Sequence, residues 1–441
     1  MMGRLVGLAF ISWAGALQAA SLTLQAELSH PVRKAGEKKS TYLKVSTTGG
    51  AQVAEVDRAP INLTLVLDRS SSMNGEKIVQ ARQAAKLAVS RLQPNDIISV
   101  VAYDNVVEVL VPATKASDKE AINRLINNIS TKGNTALFGG VAKGAEELRK
   151  FKQRDAINRV VLLSDGQANV GPSDPKALGD LGAALAQEGI SVTTIGLGGG
   201  YNEDLMDTLA MKSDGNHSFV QTPGELAAVF EQELGTLASV VASDVEFSVT
   251  LGEGIRPVRA LGRDVEIQGQ TVSWSYNQVY AEQEKFLLLE VESIPQKADT
   301  DQLVATAKVD YLDAVAKKEE STSTRAVSRI LSAESEVEIQ QNREVMIAVV
   351  AALATEKSEL AVKLRDEGKI KEAQIVITEN RDELEKQAVN LSCHDLHLEA
   401  DRNGFDNEAL LDDRAWTTRR KAVKQRGNVS RSQNRAYRSV D

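Results

Sequence analysis

The sequence is poor in cysteine, proline and aromatic side chains, and each shortage closes off a class of protein. Cys393 is the single cysteine, so neither an intrachain disulfide nor a multi-cysteine zinc or iron–sulfur site can form. With 9 prolines and an ordinary glycine count, the chain is neither collagen-like nor broadly disordered. Aromatic residues make up 4%, so aliphatic packing must carry the core. Positive charge is in the minority. Lys and Arg number 52 against 61 Asp and Glu, a net charge of −9, which opposes binding of nucleic acid or anionic membranes over the whole surface. What is present is 42% hydrophobic and 26% charged residues over 441 positions. That suits a soluble protein of roughly two or three domains.

The one long apolar run opens the chain. Leu5 to Leu17 follows Arg4 and precedes the small residues Ala19 and Ala20. Residues 1–20 therefore read as a secretory signal peptide, too short to span a bilayer. The mature protein is expected to be exported, secreted or periplasmic, with no transmembrane segment.

Residues 21–57 show short alternating segments that predict N-terminal β strands. From residue 58 to 241 the pattern alternates strand and helix. Ile61 to Leu67 is a nearly continuous apolar run, as in a central strand. Ile78, Ala81, Ala85, Ala88 and Leu92 then step by three and four, the face of a helix. Strand-like and helix-like segments continue in turn to about Val240. This predicts an α/β, doubly wound, largely parallel sheet. Residues 242–318 read as an antiparallel β module with too little chain for two full sheets. The strands of 21–57 are expected to pair with it, leaving the α/β domain inserted between the two parts. Residues 322–398 read as a helical hairpin turning near Gly368. Residues 399–441 read as a disordered tail; from Arg414 it carries nine Lys or Arg and one acidic residue.

Chemistry gathers at one edge of the α/β domain. The Ile61 strand runs into Asp68, Ser70 and Ser72 in a D-x-S-x-S pattern. Short Asp/Ser runs are common in turns, but this one stands at the C-terminal end of a parallel strand, where open α/β sheets place ligand sites. Thr135, just before a helix, and Asp165, at the end of another strand, are expected at the same edge. Three hydroxyls and two carboxylates are hard oxygen donors. They suit Mg²⁺, Mn²⁺ or Ca²⁺ rather than zinc or copper. Two carboxylates balance a divalent charge, and the neutral hydroxyls leave the ion electrophilic, with room for one further ligand.

In these motifs the segment from about 58 to 241 resembles a von Willebrand factor type A domain. Asp68, Ser70, Ser72, Thr135 and Asp165 match that family's metal-ion-dependent adhesion site. One departure is Ser71, where the family usually has glycine. The flanks at Ile157–Gly171, Gly196–Met206 and Leu237–Val245 resemble exported bacterial type A proteins. Those are similar in turn to inter-α-trypsin-inhibitor heavy chains and calcium-channel accessory subunits. The resemblance implies a Rossmann-like fold and a divalent cation, Mg²⁺ first among the candidates. It also implies a protein partner whose acidic side chain completes the metal shell, as in cell adhesion. The alternative is an assembly or chaperone-type accessory subunit of an exported complex, with the helical hairpin as main interface.

Other residues read more plainly. Gly196–Gly200 lacks nucleotide-loop spacing and is expected to be a turn, so no nucleotide is expected. Cys393, His394 and His397 form a short cluster without a distant fourth ligand and read as an ordinary helix end. No nucleophile–base pair is visible, so no catalytic residue is named and the protein is expected not to be an enzyme. The basic tail is the one segment with a charge suited to nucleic acid.

Overall fold

The computed structural model describes residues 21–36, 39–51, 58–293, 297–332 and 341–433. The expected signal peptide and residues 434–441 of the expected tail lie outside the described residues. Three short strands come first: β1 (Leu22–Leu28), β2 (Val32–Lys34) and β3 (Lys39–Gly49). The α/β domain follows as β4 (Ile61–Asp68), α1 (Glu76–Arg91), β5 (Ile97–Tyr103), β6 (Val107–Lys115), α2 (Lys119–Asn127), α3 (Leu137–Arg149) and β7 (Ile157–Ser164). It continues with α4 (Pro175–Gln187), β8 (Ile190–Leu197), α5 (Glu203–Lys212), β9 (His217–Val220) and α6 (Leu226–Leu237).

The strands of this domain lie in the order β6-β5-β4-β7-β8-β9. All pairs are parallel except the edge hairpin β5–β6. The order reverses between β4 and β7, the switch point of a doubly wound sheet. Every residue of β4, β7 and β8 is buried, as expected for strands covered on both faces. The apolar face read on α1 is buried: Ile78, Ala81, Ala85 and Ala88 pack with Leu63, Leu65 and Val161 in one core cluster.

The second region consists of β10 (Val240–Leu251), β11 (Arg256–Leu261), β12 (Glu266–Gln268), β13 (Thr271–Tyr280), β14 (Glu284–Ser293), β15 (Thr300–Asp313) and β16 (Glu319–Leu331). It forms two sheets, β1-β3-β14-β11 and β12-β13-β10-β15-β16-β2. The N-terminal strands are integral to both. β3 runs antiparallel to β14 over ten residue pairs, and β2 pairs with β16 in parallel. Their inward faces share one core, with Leu43 and Val45 packed among Phe247, Trp274 and Leu289.

Two expectations fail: the helical start at residue 322 and the disordered tail from 399. Residues from 322 on were expected to be helical, yet Glu319–Leu331 is a strand. Its Ala326, Ser328 and Ile330 are buried while Val327 and Arg329 between them are exposed, a two-residue period that fits a half-buried strand and not a helix. The hairpin is also part of a larger array: α7 (Arg343–Asp366), α8 (Ile370–Asn390), α9 (His394–Ala409) and α10 (Asp413–Ser432). The turn between α7 and α8 does use Gly368, at φ +77°, a conformation glycine adopts without strain. Val345 and Val349 seat α7 on Leu261 and Leu288 of the four-stranded sheet.

The expected disordered tail is helix α9, part of the array, and then α10. Asp412 caps α10 by accepting from the backbone N–H groups of Arg414 and Ala415. The basic run meets acidic residues that are remote in sequence. Arg420 pairs with Glu203, Asp204 and Asp366, Lys421 with Glu203, and Arg419 and Arg426 with Asp406. Charges that would be solvated in a free tail are matched here. α10 also shields the sheet edge: Asn428 Oδ1 accepts from His217 N at 3.1 Å and Gln425 Oε1 from Phe219 N at 3.3 Å. Side chains of a helix thus take the place of a further strand on β9.

Candidate metal centre

Asp68 ends β4 and Asp165 follows β7, so the switch point places the two carboxylates side by side at the C-terminal edge of the sheet. Both are buried. Asp68 is held by two donors: Ser70 N–H to Oδ1 at 2.8 Å and Ser164 Oγ to Oδ2 at 2.7 Å. Ser70 Oγ lies 2.9 Å from Ser72 Oγ, and Ser72 Oγ donates to Asp165 Oδ1 at 2.6 Å. The chain Asp68–Ser70–Ser72–Asp165 is therefore continuous. Thr135 joins from the third segment. A Cβ built on Gly166 would sit 3.1 Å from Ser72 Oγ and 3.5 Å from Thr135 Oγ1, so both hydroxyls converge over a residue that has no side chain to fill the space.

Backbone ties fix these loops. Ser71 N–H and Ser71 Oγ both donate to Gly133 O at 3.0 Å, and Lys132 N–H donates to Arg69 O at 2.8 Å. Ser71, the departure from the family pattern, is exposed and adds a cross-link between the first and second loops. Asn169 Oδ1 accepts from Thr135 N at 2.8 Å, which ties the second loop to the third. Arg69 turns away from the oxygens and pairs with Asp104 and Glu108.

Burial pushes the Asp68 carboxyl up to about 6, against the lowering effect of its Ser70 and Ser164 donors, and the nearby Asp165 charge adds to the rise. A cation beside it would reverse that direction. Two carboxylates and three hydroxyls from three separated segments make an all-oxygen donor set that fits a hard divalent cation. The Cys393, His394 and His397 cluster gives no such set: among the described residues, no three His, Cys, Asp or Glu side chains group as metal ligands.

Three contributors escape a reading by motif. Ser164 adjoins Asp165 in the chain, and its place at a strand end was the available signal. Asn169 lies four residues further on, with nothing local to mark it. Lys77, in the first turn of α1, forms an ion pair with Asp165; no spacing rule links positions 77 and 165. His217, the histidine of the α/β domain, is buried, with ring nitrogens bonded to Thr194 at 2.8 Å and Tyr201 at 3.3 Å. Its neighbours are thus core hydroxyls, not the serines of the centre.

The model of the von Willebrand factor type A domain matches residues 62–232. Among curated relatives, the uncharacterized protein sll0103 of Synechocystis is 28% identical over 53% of this chain and 57% of its own length. The uncharacterized protein YfbK of Escherichia coli is 29% identical over 47% of this chain and 36% of its own. Inter-alpha-trypsin inhibitor heavy chain H3 of Mus musculus is 28% identical over 35% and 18%. The chain thus spans little more than half of the first of these relatives and less of the others. Among solved structures, von Willebrand factor type A from Catenulispora acidiphila superposes with a TM-score of 0.71 at 16% identity, over 88% of this chain and 89% of that one. The ArnB paralog VWA2 from Sulfolobus acidocaldarius gives 0.62 at 20% identity, over 93% and 99%. These likenesses extend past the α/β domain and show that the whole three-part fold recurs. Matched by family model, strand order and switch-point geometry, residues 62–232 are a von Willebrand factor type A domain.

Proposed function

We propose that this protein binds a partner protein through a divalent cation, Mg²⁺ first and Mn²⁺ or Ca²⁺ as alternatives. Asp68, Ser70, Ser72, Thr135 and Asp165 hold the ion, and an acidic side chain of the partner completes its shell. The observation that carries this reading is the unbroken Asp68–Ser70–Ser72–Asp165 contact chain, with Thr135 Oγ1 facing Ser72 Oγ over Gly166. The buried carboxylates supply charge, and the exposed Ser72 marks the side from which a partner arrives. Export fits the apolar opening of the sequence. Among the described residues no helix is long and apolar enough to cross a membrane. One matched relative is named an E3 ubiquitin-protein ligase, WAV3 of Arabidopsis thaliana, at 24% identity over 32% of its length. For this chain binding is the better reading, because the serines contact carboxylates and each other and not a histidine base.

The test is isothermal titration of purified protein with MgCl₂ and MnCl₂, beside affinity capture from the exported fraction. Wild type and Asp68→Ala are compared with and without chelator. Metal binding that Asp68→Ala abolishes, with capture lost in chelator, supports the reading. Capture indifferent to both defeats it.

A second reading has its own observation. Leu360, Ile375, Val389, Leu398, Phe405 and Leu411 of the helical array are large and exposed; such side chains suit an assembly interface where they share one face. Capture that survives Asp68→Ala but is lost on changing these residues to serine favours an accessory-subunit role.

A further inference from the structure

Lys77 is the charged side chain at the centre that the five-oxygen reading does not use. It rises from the first turn of α1. Its ammonium pairs with Asp165 Oδ2 and lies 3.4 Å from the Ser72 carbonyl oxygen. The two partners differ in access. The Asp165 side chain is fully shielded, whereas that of Lys77 is 33% exposed. The lysine therefore reaches in from the surface on a flexible stem and can withdraw to solvent without unpacking the core.

Asp165 Oδ1 is already taken by the Ser72 hydroxyl. The Lys77 ammonium thus stands on the other oxygen of a carboxylate that a cation would use. A divalent ion on Asp165 would meet a like charge at ion-pair distance, and at that range the repulsion is strong even at a protein surface. The charges also select the sign of the last ligand. Asp68 and Asp165 carry −2 and Lys77 +1; a divalent ion brings the sum to +1. A site of five ligands alone would be neutral when loaded. With Lys77 beside it, the loaded site stays cationic and favours an anionic sixth ligand. Arg69 adds no positive charge to this sum, because it is paired with two carboxylates, Asp104 and the half-exposed Glu108.

We infer that Lys77 is an intrinsic competitor for Asp165, which a divalent cation must displace, and that it afterwards supplies positive charge beside the loaded site for a partner carboxylate. This rests on the metal reading above and assigns it a residue that sets ion affinity.

The experiment is titration of wild type, Lys77→Met and Lys86→Met with MgCl₂ and MnCl₂ at fixed ionic strength. Methionine keeps the stem and removes the charge. Lys86 lies on the same helix, about 13 Å further along its axis, bonded to Asn127; its replacement removes one charge without touching Asp165. Lys77→Met is expected to bind the ions about tenfold more tightly and Lys86→Met within about twofold of wild type, on the distance dependence of charge interactions. In thermal melts, Lys77→Met should melt lower than wild type in chelator and show the larger upward shift on adding metal. Unchanged or weaker binding by Lys77→Met overturns the inference, as does equal tightening by both variants, which would indicate a long-range field. Absence of binding by wild type and both variants overturns the metal reading itself and this inference with it.

Discussion

At one end of the β4–β9 sheet, Asp68 and Asp165 are buried beside the exposed Ser72; at the other, Arg159 is buried among fixed partners. Arg159 bonds Thr193 at 3.1 Å, Gln278 at 2.8 Å and Tyr280 at 2.6 Å, and faces Glu233 at 3.6 Å. Gln278 and Tyr280 belong to β13, so these bonds fasten the β module to the type A domain. Lys285 of β14 adds to the same end, 3.6 Å from Asp214 and over the Tyr276 ring. Both ends bury charge, which is costly unless the charge is compensated. At the β-module end the compensation is internal, so the charges work as a fastening. At the C-terminal edge the two carboxylates meet hydroxyls and one partly exposed lysine, which leaves one formal negative charge over; the cation we propose would offset it.

The comparison can be broken first at the joint. Arg159→Leu leaves Glu233 with its bonds from Thr193 and Asn216 but without its counter-charge, and should cost about 3–5 kcal/mol of unfolding free energy, the scale for removing one member of a buried pair. Urea denaturation measures this, and cation affinity of the folded fraction should remain within about twofold of wild type, since the two ends share no partner. At the other end the effects reverse. On the proposed cation site, Asp68→Ala should reduce cation affinity on the order of a hundredfold, since it removes one of two carboxylates at the ion, read by calorimetry with circular dichroism confirming the fold. Ser164→Ala removes only the donor that orients Asp68. It should weaken the ion about tenfold or somewhat more, the scale for a supporting hydrogen bond at a metal ligand.

The smallest effect sharpens the contrast by pH. Burial holds Lys285 down at about 8, against the raising influence of Asp214, while the unfolded chain keeps the ordinary lysine value near 10.4. The unfolded state therefore binds more protons between the two values. Stability is highest above the unfolded value and is lost as pH falls toward 8. Between pH 8 and 9.5 wild type should gain about 1–2 kcal/mol, and Lys285→Met should lose most of that gain in paired urea titrations.

How much of this was legible depends on the range of the interaction. The strand at Ile61–Asp68 and the α1 face at Ile78, Ala81, Ala85 and Ala88 were readable, because burial on two faces or one imprints a local period. That Asp68, Ser70 and Ser72 meet Asp165 was readable because the loops after neighbouring parallel strands converge at the C-terminal edge. β16 departs from the helical reading of 322–398, which rests on the Ala, Glu, Gln and Lys content of that whole stretch; Thr322 and Thr324 favour a strand, and burial alternates at Ala326, Ser328 and Ile330. The basic segment at 414–433 was misread for another reason. Composition shows its charge but not that Glu203, Asp204, Asp366 and Asp406 would meet it.

By itself the sequence determined the α/β alternation, the apolar stripe of α1 and the supply of oxygen-bearing side chains at Asp68, Ser70, Ser72, Thr135 and Asp165. Each is written within a few residues, in a period or a motif. The sequence also led to the expectation that the strands of 21–57 join the β module; only the tertiary structure decided that β3 takes β14 as its neighbour, that α10 closes the edge of β9, that Arg159 joins the domain to β13 and that Lys77 stands on Asp165. Those contacts join residues from 88 to more than 200 positions apart. Packing and charge matching across the folded molecule select them, and no local pattern encodes such a pairing.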